Sequence, residues 1–198
     1  MIVSGPRLRL RYASEDDAAD LFELGSDEDV SRFFSWGPYR DPAEPIAYIE
    51  SLAHQREAGK RLEFAIADEG DRMIGVTGLS EFSRRDRRAV VGTWLGRAHW
   101  GTGANAESKA LVLALGFRRL GLRRATALAN PENRRSIVAL ERLGFESEGV
   151  LRSWHLHGGT PQDCEVLRFM REDFERSTLA EVPVDFEGEP PAQFVTGE

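Results

Sequence analysis

The sequence predicts one α/β domain whose sheet is mixed, mostly antiparallel and flanked by helices. Apolar residues alternate with others over residues 62–66, as in a strand. Over residues 106–117 they recur at spacings of four, three and four residues, as on one face of a helix. Strand and helix signals of these two kinds follow one another along the chain, and its 198 residues suffice for one domain with a sizeable core.

Cap and turn residues divide the chain into elements. Ser14 can cap a helix whose first turn carries Asp16 and Asp17, and Gly121 can end the long helix before it. The predicted elements are, in order, a strand over 7–12, a helix over 14–24, a short helix and loop over 27–36, a helix from 41, strands over 62–66, 73–82 and 89–95, a helix over 104–120, a strand over 123–129, a helix over 130–144, and strands over 145–151 and 164–170. Only the connection through helix 104–120 is expected to join parallel strands.

Composition argues against several classes of function. The chain has 33 acidic and 26 basic residues, a net charge of −7, which disfavours duplex nucleic acid as the main partner. No apolar run is long enough for a membrane span, and the first residues lack the pattern of a signal peptide. Cys164 is the only cysteine, which excludes an internal disulfide and fits a reducing cytoplasm. We therefore expect a cytoplasmic protein that binds neither nucleic acid nor a membrane.

The C-terminal end differs in composition from the rest. Residues 179–198 are rich in proline, glycine and acidic residues. Such a segment is expected to be disordered or to lie along a partner subunit. The folded domain is therefore expected to cover residues 1–178.

Two glycines, Gly101 and Gly103, separate a predicted strand from the helix over 104–120. The first backbone amides of a helix point outward and favour an anion, and glycines let a large anion approach the backbone. The pattern suits a pyrophosphate site, and it equally suits a tight turn without a ligand. A dinucleotide-binding fold is rejected, because it would place this turn after a first parallel strand and an acid about 20 residues further on. Here antiparallel strands come before the turn, and the next strand ends without an acid.

Three segments match one family in register: residues 6–11 (PRLRLR), 100–105 (WGTGAN) and 130–136 (NPENRRS), the last running on to Phe145. In these segments the chain resembles the GCN5-related N-acetyltransferase (GNAT) family, in its branch of ribosomal-protein N-terminal acetyltransferases. The resemblance covers residues 5–175. It implies an N-acetyltransferase domain over 1–178, acetyl-CoA as acetyl donor, an amine acceptor, and a homodimer as one option. The residues it implies for the coenzyme are Leu95, Gly96, Trp100, Gly101, Thr102, Gly103, Ala104, Asn105 and Asn133.

The sequence departs from the family where acids and bases are concerned. Leu140 replaces the tyrosine that many members use to protonate the leaving thiolate, and Val90 stands where this branch often has a glutamate. Ala98 stands where we expect the Gln or Arg of the loop signature. A main-chain N–H of strand 94–96 is expected to meet the oxyanion, as in the family.

For the proton donor we propose Ser136, which shares a helical face with Leu140 and lies near the coenzyme's sulfur in this branch. Ser136 could instead cap the helix backbone, and Asn133 could likewise be a cap. For the base, His155 lies where relatives carry a glutamate facing the amine, and an imidazole is the side chain best suited to take up a proton near neutral pH. Glu81 is the alternative. His155, His157, Asp163 and Cys164 lack a standard metal spacing, so no metal site is expected.

Phe34 and Trp36 belong to an aromatic group in the region that walls the acceptor site in the family, although core packing would explain them as well. The missing strong bases favour a weakly basic amine. The sequence therefore predicts transfer of an acetyl group to a protein or peptide N-terminal α-amine. A small amine (an amino acid, a polyamine or an antibiotic) is the alternative acceptor. A catalytically weak acyl-CoA-binding sensor or interaction module is the alternative class.

Overall fold

The computed structural model describes residues 1–196, which form a nine-stranded sheet. The strands are β1 (Ile2–Ser4), β2 (Arg9–Arg11), β3 (Arg61–Ala67), β4 (Met73–Ser83), β5 (Arg88–Leu95), β6 (Arg124–Ala129), β7 (Glu146–His157), β8 (Thr160–Met170) and β9 (Asp185–Glu187). Their order across the sheet is β7-β8-β6-β5-β4-β3-β2-β1-β9. Over the described residues only β5 and β6 pair in parallel. The predicted α/β class with a mixed, mostly antiparallel sheet is confirmed.

The same residues form six α-helices, none of which is long and apolar enough to cross a membrane. They are α1 (Ala18–Gly25), α2 (Glu28–Ser31), α3 (Ala43–Glu57), α4 (Ala104–Ala114), α5 (Arg134–Arg142) and α6 (Arg171–Arg176). The predicted helix over 104–120 is α-helical only as far as Ala114 and continues as a π-helical turn, Leu115–Arg119. Gly121 follows it with a φ of +76°, the left-handed conformation that glycine adopts most easily.

The two faces of the sheet pack against different helices. Phe64 and Ile66 of β3 are fully buried in the cluster that contains the apolar residues of α4. Ala65, between them, belongs to the cluster that contains Leu21 of α1 and Ile49 of α3. Successive side chains of a strand point to opposite faces, so α4 covers one face of the sheet while α1 and α3 cover the other.

The C-terminal segment folds back onto its own domain. Strand β9 pairs antiparallel with β1. Phe194 is fully buried, with its ring centroid 4.7 Å from that of Phe82. The hydroxyl of Thr196 donates to the Leu120 carbonyl at 2.8 Å. Residues 179–196 are therefore ordered rather than disordered, because their phenylalanines bury apolar area that the proline and glycine content concealed. Residues 197–198 lie outside the described range.

Strands β5 and β6 pair over only part of their length. Their parallel register runs from Arg88 opposite Arg124 to Val90 opposite Thr126. Beyond that point β5 continues to Leu95, paired with β4, and β6 continues to Ala129, paired with β8, but the two strands no longer pair with each other in the described structure, and both line one cavity. The sheet therefore opens at the ends of these two strands, which is where the candidate site lies.

Candidate active site

A cavity of about 360 Å³ occupies the opening between β5 and β6. Its walls come from these two strands, from the beginnings of α4 and α5, from the β7–β8 hairpin, and from the loop after α2. The cavity therefore brings together segments that lie more than a hundred residues apart along the chain.

The turn before α4 forms one end of the site. Gly101 has a φ of +75° and Gly103 a φ of +90°, and side-chain-bearing residues adopt this conformation at a cost. A Cβ on Gly101 would meet nothing within 4 Å, so the backbone there is open to a ligand. The first intrahelical hydrogen bond runs from the Glu107 N–H to the Gly103 carbonyl at 3.1 Å. The amides before it point out of the helix end, an arrangement that suits a phosphate group.

Positive charge lies next to this turn. The guanidinium carbon of Arg135, in α5, stands 3.2 Å from the centre of the Trp100 ring, and both residues line the cavity. Trp100 is itself held in place, because its Nε1–H donates to the Leu95 carbonyl at 2.8 Å. A cation fixed over an aromatic ring beside a helix N-terminus favours an anionic ligand.

One main-chain amide of β5 is directed into the opening. The Gly96 N–H donates to the Ile74 carbonyl at 3.0 Å, on the β4 side. Backbone groups of successive strand residues point to opposite edges, so the Leu95 N–H points to the β6 side. The Leu95 carbonyl on that side accepts the bond from Trp100, and the Leu95 N–H next to it is a backbone donor that a ligand in the opening could use.

Asn133 and Ser136 meet at the first turn of α5, and both line the cavity. Asn133 is the N-cap residue, and its Oδ1 accepts the Ser136 N–H at 3.2 Å. The capping alternative for Asn133 is thus present in the structure. Because the cap uses the side-chain oxygen, the amide nitrogen of Asn133 and the Ser136 hydroxyl are the groups that could serve a ligand.

A bulge in β7 places His155 on the cavity wall. Leu151 pairs with Cys164 and His155 with Gln162, so β7 has three residues between these pairs where β8 has one. The bulge contains Ser153, whose φ is +52° and whose N–H donates to Asp163 at 2.9 Å. Within residues 1–196 no three His, Cys, Asp or Glu side chains are grouped so as to hold a metal ion.

The model of the acetyltransferase (GNAT) domain family matches residues 7–146, which is more than half of the chain. The chain belongs to the GNAT family of acetyltransferases. It is 31% identical over 169 residues to p20, an uncharacterized N-acetyltransferase of Bacillus licheniformis, and the match covers 85% of this chain and 95% of p20. The chain is therefore an N-acetyltransferase, and the family uses acetyl-CoA.

Solved structures share the fold of this GNAT protein. A candidate ribosomal-protein-serine acetyltransferase from Vibrio cholerae matches with a TM-score of 0.77 and 21% identity, over 86% of this chain and 97% of that one. Spermidine N-acetyltransferase from Vibrio cholerae, in complex with CoA and spermine, matches with a TM-score of 0.72 and 21% identity, over 84% of this chain and 97% of that one.

The GNAT site gathers some of the residues predicted for the coenzyme and leaves others nearby. Those that line the cavity are Leu95, Trp100, Gly101, Asn105 and Asn133. Those that belong to the same segment but lie outside the lining are Gly96, Thr102, Gly103 and Ala104. Gly96 packs closely on α1, because a Cβ there would come 2.2 Å from a methyl group of Leu24, which would have to move.

Two further residues predicted for the site, Glu81 and Trp36, do not line the cavity. Glu81 lies outside the lining, in an irregular part of β4, with a φ of +50°. Burial and, to a smaller degree, the charge of Glu81 raise the pKa of the Cys164 thiol, which does line the cavity. Trp36 also lies outside the lining and stacks on Phe34, which lines it, at 5.2 Å between ring centroids.

Sequence reasoning missed Lys109 as a site residue of this acetyltransferase. Lys109 lines the cavity from α4 and is only 3% exposed. Its Nζ donates to the Thr93 hydroxyl, which is 2.6 Å from that of Thr77. Burial lowers the pKa of Lys109 to about 7, and among the described residues no carboxylate offsets that effect. The available signal was a single lysine among the apolar residues of a helix that is covered on more than one side.

Proposed function

We propose that this acetyltransferase transfers the acetyl group of acetyl-CoA to the α-amine at the N-terminus of a protein or peptide, by direct attack in a ternary complex. The charge of the cavity carries the proposal. Asp163 is the one carboxylate among the described lining residues, and it accepts the Ser153 N–H, whereas Lys109 and Arg135 are basic. A polyamine with several charges would call for several carboxylates, while an α-amine brings one charge.

The acid–base demand also favours an α-amine. The pKa of an α-amine lies near 8, so part of the α-amine is neutral and nucleophilic at pH 7. A lysine side chain has a pKa near 10.4 and needs a stronger base to become neutral. The lining offers His155 for this task, since Asp163, the one carboxylate among the described lining residues, already accepts the Ser153 N–H. Phe33, Phe34 and Leu156 give the cavity apolar walls that suit the first side chains of a peptide.

Acetyl-CoA, when bound, supplies the activated acetyl thioester. In the proposed mechanism the Gly101–Gly103 turn and Arg135 bind its phosphates, and the Leu95 N–H donates to the acyl oxygen. His155 takes up the proton that the amine loses, with Glu81 as the alternative base. Ser136 is proposed as the hydroxyl that hydrogen-bonds the leaving sulfur.

Thermal unfolding with acetyl-CoA, free CoA and NAD, each in large excess, tests the donor. A ligand at a hundred times its Kd adds about 2.7 kcal/mol, which raises the Tm by several degrees for a chain of this size. We expect a rise with acetyl-CoA and CoA and none with NAD. No rise with either CoA species would overturn the proposed donor site.

An amine screen on the same sample tests the acceptor. Its arms are a peptide with a free N-terminus and no lysine, the same peptide N-terminally blocked and carrying one lysine, spermidine, and free amino acids. We expect turnover of the first peptide alone. Preference for spermidine or an amino acid would replace the peptide by a small amine. CoA binding without turnover of any amine would favour the sensor class.

A further inference from the structure

Among residues 1–196 the buried amine of Lys109 forms no ion pair with a carboxylate. Another charged residue of α4, Glu107, is also buried, but it accepts the backbone N–H groups of Arg7 and Leu8 and the Nε–H of Arg7. Lys109 has one described partner, the Thr93 hydroxyl. Burying an amine is costly unless it is paired, so a lysine held this way favours its neutral state and gives up a proton readily.

Lys109 lies on the side of the cavity where the coenzyme is proposed to bind. Asn105, which also lines the cavity, precedes it by one helical turn, so Lys109 stands further from the phosphate end of α4. Its partner Thr93 is two residues from Leu95, whose N–H is the proposed donor to the acyl oxygen. Ser136 and Leu140 of α5 line the same cavity. The amine therefore faces the part of the cavity that would hold the reactive end of the coenzyme rather than its phosphates.

We propose that Lys109 is the proton donor to the leaving sulfur in this acetyltransferase. The proposal rests on acetyl-CoA as the donor. Leu140, buried in the cavity wall, has no proton to give. A serine hydroxyl such as that of Ser136 can hydrogen-bond the sulfur but does not release a proton near neutral pH. The ammonium of Lys109 can release a proton near neutral pH. The transfer converts it to the neutral amine that its surroundings favour.

The step balances in atoms and charge. The acceptor nitrogen bonds the acetyl carbon, and the carbon–sulfur bond breaks with its electron pair on sulfur. Lys109 passes one Nζ proton to that sulfur. The acceptor nitrogen loses one proton to His155 or water, and Lys109 regains one from solvent through the cavity. The products are the acetylated amine and the free thiol.

The decisive measurement is the titration of the thiol of free CoA in its complex with the protein, followed by the ultraviolet absorbance of the thiolate. An ammonium beside the sulfur stabilises the thiolate, and the two groups titrate as a coupled pair. We expect the thiolate to appear at least about one pH unit lower in the wild type than in Lys109→Met, a tenfold effect. The variant keeps the length of the side chain and removes the buried charge.

Matched variants separate a proton donor from other roles. Thr93→Val leaves Lys109 without its hydroxyl partner and should raise the thiolate onset by a smaller amount. Desulfo-CoA should bind wild type and Lys109→Met equally, because it lacks the sulfur. In turnover, Lys109→Met should lower kcat by roughly a hundredfold, in the range of general acid catalysis, with little change in KM for acetyl-CoA.

The outcomes are distinct. If CoA fails to raise the Tm of the wild type, the assignment of acetyl-CoA as the acetyl donor fails. If CoA binds but its thiol titrates identically in wild type and Lys109→Met, Lys109 is not the proton donor, although the acetyltransferase assignment stands. A shift in Ser136→Ala without one in Lys109→Met would mean that a hydrogen bond from Ser136, and not the ammonium of Lys109, stabilises the thiolate, which would overturn the proposal.

Discussion

Glu107 and Arg7 join the beginning of α4 to the beginning of the chain. Glu107 Oε1 accepts the Arg7 backbone N–H at 2.7 Å, and Oε2 accepts the Arg7 Nε–H at 3.0 Å. The same carboxylate accepts the Leu8 N–H at 2.9 Å. The side chain of Arg7 also reaches the Thr102 carbonyl in the glycine turn. Two of the segments that match the family in register, residues 6–11 and 100–105, are therefore parts of one structural unit that fixes the anion-binding end of α4.

Replacement of Glu107 should destabilise the whole domain. Glu107→Ala leaves the buried Leu8 N–H and the Arg7 N–H without their acceptor, and each unsatisfied donor costs about 1–3 kcal/mol. We expect a loss of about 2–4 kcal/mol in the free energy of unfolding, measured by urea denaturation. Glu23→Ala is the control, since it removes an exposed ion pair with Arg72 and should change stability little. Equal effects of the two variants would show that Glu107 does not hold α4.

Arg135 should contribute to CoA binding through its charge. Arg135→Ala removes a cation beside the helix N-terminus, and we expect at least a several-fold rise in Kd at low salt, measured by calorimetry. The difference from wild type should shrink as salt is added, because ions screen exposed charges. Arg134→Ala changes the net charge equally on the same helix but lies outside the cavity lining, so its effect should be smaller. Equal loss in both variants would indicate a general charge effect.

Local patterns predicted the elements whose partners lie close in the sequence. The strands at 62–66, 73–82 and 89–95 form consecutive antiparallel pairs, as alternation and turns indicated. Pairing of Ile2 with Glu187 joins segments about the full chain length apart, and three-residue strands carry no recognisable period. The burial of Phe194 was equally hidden, because the four residues before it are two prolines, an alanine and a glutamine, which carry no strand or helix period. Long-range contacts of this kind depend on the completed fold.

The site was predictable where backbone conformation dictates the residue. Gly101 and Gly103 both have positive φ values, which favour glycine, so the residue type itself marked the turn in the sequence. His155 reaches the cavity through a bulge that no periodicity announces. Lys109 comes shortly after the 100–105 segment in the sequence, but its role depends on the polarity of the surrounding wall, which only the packing of α4 on β5 reveals.

His155 should be needed for proton uptake from the amine. We expect His155→Ala to lower kcat at neutral pH at least about tenfold, measured with the preferred peptide at saturating acetyl-CoA. His155→Gln keeps a polar side chain of similar size but cannot take up a proton near pH 7, so it should be equally impaired. Glu81→Gln should then have a small effect. Near-normal turnover in His155→Ala, with loss in Glu81→Gln, would transfer the role to Glu81.

The lowered pKa of Lys109 leads to a prediction of how the free energy of unfolding depends on pH in the absence of any ligand. An unfolded lysine has a pKa near 10.4, and burial lowers that of folded Lys109 to about 7. Between these values the unfolded chain holds a proton that the folded chain lacks, so this contribution to the free energy of unfolding rises with pH. The rise is at most about 1.4 kcal/mol per pH unit, and it is absent from Lys109→Met.

Urea denaturation of both proteins at about pH 7, 8 and 9 measures this difference. The variant should be the more stable at the lowest pH, where the wild type must bury an ammonium or lose its proton. The difference in the free energy of unfolding between the variant and the wild type should shrink as pH rises. The raised pKa of Cys164 and those of the buried tyrosines affect both proteins alike, so they cancel in the comparison. If the difference in the free energy of unfolding between the two proteins stays constant across this range, Lys109 keeps an ordinary pKa in the folded protein. Lys109 would then hold its proton too tightly to transfer it to the sulfur as proposed.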